Sequence, residues 1–157
     1  MKHTIAVLVE NRFGVLARVA GLFSARGYNI DSLTVSETQD PTVSRMTIVI
    51  DAEDERILEQ IKKQLNKLID VITVTDFTKK SYIERELVFL KIIPDKKTLP
   101  QLRRIIKRAG AQVLEKKEEY LVVELAADAG HVRDFISNMK SFKVVELVRS
   151  GRVAVAL

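Results

Sequence analysis

Asn11 and Gly14 stand between a strand-like apolar run, Ile5 to Val9, and a series of apolar residues at helical spacing that starts with Val15 and Leu16. A glycine at a helix entrance lets a ligand approach the backbone where free N–H groups and the positive end of the helix dipole converge. Such a volume suits a carboxylate. The side-chain carbonyl of Asn11 offers an acceptor for an ammonium group, and the two demands together describe a free α-amino acid. Asn29 and Ile30 open the next strand. If that strand lies at a sheet edge and pairs with the same edge of a second copy, Asn29 would orient the ligand and Ile30 would wall its side chain. Each residue also has a plain structural reading: turn geometry for Gly14, a helix cap for Asn11, and the turn after Gly27 for Asn29.

The elements that must position these residues follow from periodicity. Ile5 to Val9 is too short for a helix and rich in β-branched residues, which predicts a buried strand. Val15, Leu16, Val19, Ala20, Leu22 and Phe23 repeat at helical spacing up to Gly27, the expected left-handed stop. Tyr28 to Val35 and Arg45 to Ile50 predict a hairpin around Asp40-Pro41. A second helix carries Ile57, Leu58, Ile61, Leu65 and Leu68, and Val71 to Phe77 closes a βαββαβ order. The same order returns with Leu87 to Ile93, a helix capped by Thr98 and stopped by Gly110, the hairpin Ala111–Glu115 and Tyr120–Ala126, a helix through Val132, Phe135, Ile136 and Met139, and Phe142 to Val148. The predicted class is α+β: two tandem ferredoxin-like βαββαβ modules, at 1–77 and 87–157, joined by a polar linker at 78–86. Both helices of a module cover one sheet face, so the other face and the edge strands need partners. This predicts a twofold dimer that extends a sheet across an edge.

The 157 residues contain no cysteine and no tryptophan, which removes disulfide frameworks, zinc–cysteine sites and thiol catalysis. His3 and His131 are far apart in the chain, so neither a histidine metal cluster nor a Ser-His-Asp triad is indicated. No apolar run approaches the ~18–20 residues of a membrane span, and Met1 leads straight into a strand-like segment, so a cytoplasmic chain is expected. The net charge of +5 is uneven: residues 1–77 carry 9 basic against 11 acidic side chains, and residues 78–157 carry 17 against 10.

The runs Asn11-Arg12-Phe13-Gly14-Val15-Leu16-Ala17-Arg18-Val19, Gly21-Leu22-Phe23, Arg26-Gly27-Tyr28-Asn29-Ile30, Ser32-Leu33-Thr34-Val35 and Ser44-Arg45-Met46-Thr47-Ile48 resemble the regulatory small subunits of acetolactate synthase, whose N-terminal half is an ACT domain. The likeness spans almost all of 3–77. Beyond it, the likeness is looser and rests on Glu84-Arg85-Glu86, Leu90-Lys91-Ile92 and Arg149-Ser150-Gly151-Arg152. The resemblance implies a chain with no catalytic residue and no cofactor or metal of its own. Its partner would be a catalytic large subunit carrying thiamin diphosphate, Mg and FAD, which it activates and subjects to feedback inhibition by valine or another branched-chain amino acid. By position, Asn11, Arg12, Phe13, Gly14 and Val15 would form one side of the effector site, and Asn29 and Ile30 of a second copy the other.

Two other classes compete. A ferredoxin-like nucleic-acid binder is suggested by the basic second half and by Arg103, Arg104, Lys107 and Arg108 on one helix, but it would need stacking aromatics on central strands, where Ile5, Val7, Val9, Met46 and Ile48 stand instead. An acylphosphatase would need a Gln-Gly-Val loop with catalytic Arg and Asn, which 11–16 does not match. The carboxylate groups Glu118-Glu119 and Asp51, Glu53 and Asp54 sit in charged, turn-like segments and read as solvated.

Overall fold

The computed structural model describes residues 2–52 and 55–157; Glu53 and Asp54 lie outside the described residues. The chain divides into two compact units, Met1–Ile83 together with Arg152–Leu157, and Glu84–Gly151.

In the first unit, β1 (Lys2–Glu10), α1 (Val15–Ser24), β2 (Ile30–Glu37), β3 (Val43–Asp51), α2 (Glu55–Leu65) and β4 (Val71–Asp76) follow the predicted βαββαβ order. The sheet runs β2-β3-β1-β4, so β2 and β4 are its edges, and every pairing is antiparallel. Alternation decides which side chains are buried under the helices. Ile5, Val7 and Val9 of β1 lie opposite Ile48, Met46 and Ser44 of β3, and the apolar members of these pairs pack against Val15, Val19, Leu22 and Phe23 of α1 and Leu58, Ile61 and Leu65 of α2. Full burial of each such side chain stabilises by about 1.5–3 kcal/mol.

The other face of this sheet is also dry. Thr4, Ala6, Thr47 and Val49 are buried there, and Ala6 packs with Phe77 and Ala154, with Tyr82 alongside. The Phe77 and Tyr82 rings sit 5.0 Å apart. The C-terminal residues are stitched to the sheet at two points: an Arg45 Nη2 donates to the Ala154 carbonyl at 2.8 Å, and the Arg152 N–H donates to Ser32 Oγ at 3.1 Å. The cover this face needs is supplied, for Ala6, by Phe77 and Tyr82 and by Ala154, which lies in the stretch predicted as the second module.

The second unit contains most of β5 (Tyr82–Ile93), then α3 (Leu99–Ala109), β6 (Gln112–Lys116), β7 (Leu121–Ala127), α4 (Ala129–Met139) and most of β8 (Lys143–Ala156), in a sheet ordered β6-β7-β5-β8. Val88, Leu90 and Ile92 form its core with Leu102 and Ile106 of α3, Val123 and Leu125 of β7, and Val132, Phe135 and Met139 of α4. Glu86, buried in this unit, accepts two hydrogen bonds from the Arg149 guanidinium at 2.6 and 2.8 Å, so its charge is matched and its oxygens are satisfied. Asp128 caps α4 by accepting from the His131 N–H at 3.0 Å.

Four expectations need correction. The segment read as linker, 78–86, is strand from Tyr82 onward, because its alternating residues continue the β5 pleat. The closing strand does not stop at Val148 but runs to Ala156, and its end belongs to the first unit. Thr98 occupies the position before α3 without capping it: its φ is −98°, and its hydroxyl turns back to the Asp95 carbonyl at 3.4 Å. Gly27 has the predicted left-handed φ of 69°, but α1 ends at Ser24 and Gly27 turns the chain three residues later.

Candidate effector site

The loop between β1 and α1 is held by neighbours on both sides. On one side the Asn11 N–H donates to the Thr42 carbonyl at 2.7 Å, and Asn11 Nδ2 donates to the Pro41 carbonyl at 2.9 Å. The turn supplying those carbonyls is itself fixed by Asp40, whose Oδ1 accepts from the Thr42 hydroxyl at 2.6 Å and from its N–H at 2.9 Å. These two bonds, the hydroxyl's above all, hold the Asp40 carboxyl below the usual carboxylate range. With Nδ2 so engaged, Asn11 presents its carbonyl oxygen as the free end of the amide, the acceptor an ammonium group requires.

On the other side the Glu10 N–H donates to the Asp70 carbonyl at 2.9 Å, and Arg18 Nε donates to the Asp70 carboxylate at 2.8 Å. Asp70 is buried while Arg18 is half exposed, so the pair anchors the first turns of α1 to the start of β4. Gly14 sits above this anchor with φ +81°, in the region that favours glycine, and a Cβ there would lie 3.1 Å from Arg18 Nη1. The entrance therefore carries a guanidinium under the glycine. It also carries the Gly14, Leu16 and Ala17 N–H groups, which meet no acceptor among the described residues, and α1 has no acid in its first turn. Backbone donors and the helix dipole favour an anion at this spot, while the charge of Arg18 is already matched by Asp70.

The remaining predicted residues take distinct positions. Val15 is buried in the core, so its backbone alone faces the entrance, and its N–H makes a long 3.3 Å contact with the Arg12 carbonyl. Arg12 pairs with Glu10 at 3.2 Å. Phe13 is 102% exposed at the tip of this loop. Arg18, Asp70 and the Pro41–Thr42 carbonyls were not singled out from the sequence. Arg18, one helical turn after Gly14, was in principle detectable by its spacing, whereas Asp70 lies 52 residues further on with no local signal.

Asn29 and Ile30 are elsewhere. Ile30 pairs with Ile50, which pairs with His3, at the end of the sheet where β1 begins. Glu37 and Glu10 pair with Ser44 and Val43 at the opposite end. Seven residues of strand separate the two ends, roughly 20 Å. Asn29 is exposed and donates through Nδ2 to Asp31 at 3.0 Å, with Asp31 held by Lys2 at 3.1 Å; Ile30 is partly buried against the core. One chain thus assembles the Asn11–Gly14 half and holds Asn29 and Ile30 apart from it. The groove of about 280 Å³ between α2 and β4 is lined by Lys62, paired with Glu59 at 2.7 Å and Asp76 at 3.3 Å, by Lys79, paired with Glu55 at 2.8 Å, and by Lys80, so most of its charges are matched within it.

Comparison with known proteins bears on this geometry. The AHAS small subunit-like ACT domain family matches residues 5–73, and the family described as the small subunit of acetolactate synthase matches residues 85–157. The probable acetolactate synthase small subunit of Archaeoglobus fulgidus is 44% identical over 154 residues, covering 98% of this chain and 96% of that protein. The acetolactate synthase isozyme 3 small subunit of Escherichia coli is 41% identical over 157 residues, covering 99% and 96%. The crystal structure of the acetolactate synthase small subunit from Thermotoga maritima superposes with a TM-score of 0.90 at 31% identity, covering 100% of this chain and 98% of that one. With both units matched in order and over their full length, the chain belongs to the acetolactate synthase small-subunit family, and its first unit is an ACT domain.

Proposed function

We propose that this chain binds the thiamin-diphosphate-dependent catalytic subunit of acetolactate synthase, raises its activity, and makes it sensitive to valine held between two ACT domains. The observation that carries the reading is the divided site: an anion-favouring helix entrance at Gly14, with Asn29 and Ile30 at the far end of the same sheet.

A second copy resolves the division. If two β2 edges pair antiparallel about a twofold axis, the start of one β2 lies opposite the end of the other. That end, Glu37, shares its side of the sheet with Glu10 and the Gly14 loop. Asn29 and Ile30 of the second copy would then approach the entrance. The effector's carboxylate would meet the α1 amides and Arg18, its ammonium group the Asn11 carbonyl, and its branched side chain the apolar wall at Ile30. The ligand can alter the catalytic partner through unequal affinity for two states of the assembly, a coupling of about 1–3 kcal/mol.

Calorimetric titration of the purified chain with valine, leucine and isoleucine, with its mass in solution measured alongside, tests the proposal. Saturable binding by a dimer is expected. A confirmed dimer that responds to none of the three would defeat the sensor reading.

A further inference from the structure

The two units differ at the same place in their topology. Where the first unit has a left-handed glycine and open amides before α1, the second has Thr98, with φ −98°, and an entrance built on the Asp95 carbonyl. At that entrance the described residues offer no comparable run of open amides. What it has is charge. Lys96, Lys97, Arg103, Arg104, Lys107 and Arg108 are all exposed, and none takes part in an ion pair among the described residues. The one acid of this stretch, Asp95, accepts the Lys97 N–H at 3.0 Å.

This arrangement does not serve the helix itself. Lys107 and Arg108 in the last turn suit the helix dipole, but Lys96 and Lys97 precede its positive end, and the first turn contains no acid. Arg103 with Lys107 and Arg104 with Arg108 are like charges four residues apart, each pair destabilising by a few tenths of a kcal/mol. The contrast with α2 is plain: that helix has Glu55 in its first turn and Lys62 and Lys63 in its last, and it neutralises Lys62 against Glu59 and Asp76. Arg103, Arg104 and Lys107 are exposed, Arg108 lines the groove between α3 and α4, and Leu102 and Ile106 are 0% and 5% exposed in the core, so the helix has no apolar stripe left for a lipid bilayer. No aromatic residue lies between 95 and 110 to stack on a base. The three arginines offer planar forks that match carboxylates two bonds at a time.

We infer that the outward face of α3 docks an acidic surface of the catalytic subunit, so that one unit senses the effector and the other contributes an electrostatic contact to the enzyme. The inference rests on the proposed function. Its test uses the full-length chain with the double variant Arg103→Glu/Arg104→Glu, the charge-neutral Arg103→Gln/Arg104→Gln, and Lys63→Glu on α2 as a control. Affinity for the purified catalytic subunit is measured over a series of potassium chloride concentrations. Circular dichroism and valine titration of each variant report on the fold and the sensing unit.

The Glu pair is expected to weaken association about tenfold or more at low salt and to flatten its salt dependence, with the Gln pair between it and the wild type and Lys63→Glu unchanged. Folded variants that bind the catalytic subunit as the wild type does would overturn the docking while leaving the proposed function intact. Loss of binding to a single-stranded oligonucleotide, with binding to the catalytic subunit retained, would overturn it in favour of a nucleic acid. A wild-type chain that does not bind the catalytic subunit would overturn the proposed function and the docking together. Loss of helicity in the Glu pair leaves the Gln pair to decide: unchanged affinity there counts against the docking, and partial weakening supports it.

Discussion

At the entrance to α1 a single methyl group tests the proposed effector site. Gly14→Ala would force a Cβ into a backbone conformation with φ +81° and to within 3.1 Å of Arg18 Nη1. The strain should lower stability by about 1–3 kcal/mol. On the proposed function, a displaced Arg18 would also disturb the donors lining the entrance, so valine binding should fall further than stability does. Urea denaturation and calorimetry on the same preparation compare the two losses. Equal valine affinity in the folded variant would remove the α1 entrance from the effector site. Asn11 illustrates the same economy of contacts. Its Nδ2 bond to the Pro41 carbonyl and the Asp40–Thr42 bonds beneath it orient an acceptor without using it.

At the scale of elements, the contact between α2 and β4 carries a pH dependence whose sign is set by Asp76. Burial works to raise its pKa, but the Thr78 N–H and hydroxyl and the Lys62 ammonium outweigh burial and hold it below its ordinary 3.8. Lys62 is raised correspondingly, first by its bond to Glu59 and then, against burial, by Asp76. A carboxyl whose folded pKa is depressed adds stability that is fully present above the unfolded value and is lost as pH falls through the folded one. Wild type should therefore lose urea resistance below about pH 4 more steeply than Asp76→Asn, whose curve lacks this contribution. Superimposable acid limbs would show that the pair adds nothing. The C-terminal end of β8 is a different kind of element. Two hydrogen bonds and the Ala154 contact tie it to β1, β2 and β3 of the first unit, so these residues form part of the ACT domain's packing rather than a free tail.

At the scale of the whole molecule, a site shared by two copies makes a prediction that a site within one chain does not. A Gly14→Ala chain and an Asn29→Ala chain should each lose valine binding alone. After mixing and subunit exchange, a heterodimer places both lesions in one of its two sites and leaves the other intact. Binding should reappear in the mixture, at one site per heterodimer, as read by calorimetry. A mixture no better than its components would place Asn29 outside the site or the exchange of edges elsewhere. Proteins without a shared site have no means to complement in this way.

Much of this was legible in the residues. The βαββαβ order of both modules follows from helical spacing in the four helices and from short β-branched or alternating runs in the strands, and Gly14, Gly27 and Gly110 mark turns that do adopt positive φ. The helix entrance with Asn11 and Gly14 could be read because its parts are neighbours in sequence. What the sequence could not supply depends on contacts between distant segments. Arg18 meets Asp70 across 52 residues, Arg45 meets Ala154 across 109, and Arg152 meets Ser32 across 120. The placement of Asn29 and Ile30 some seven residues of strand from the Gly14 loop depends on the register of β2 against β3 and β1. Local pattern says that a residue is in a strand and which face it takes; pairing over long separations decides which strand lies beside it and at which end, and tertiary structure alone settles that.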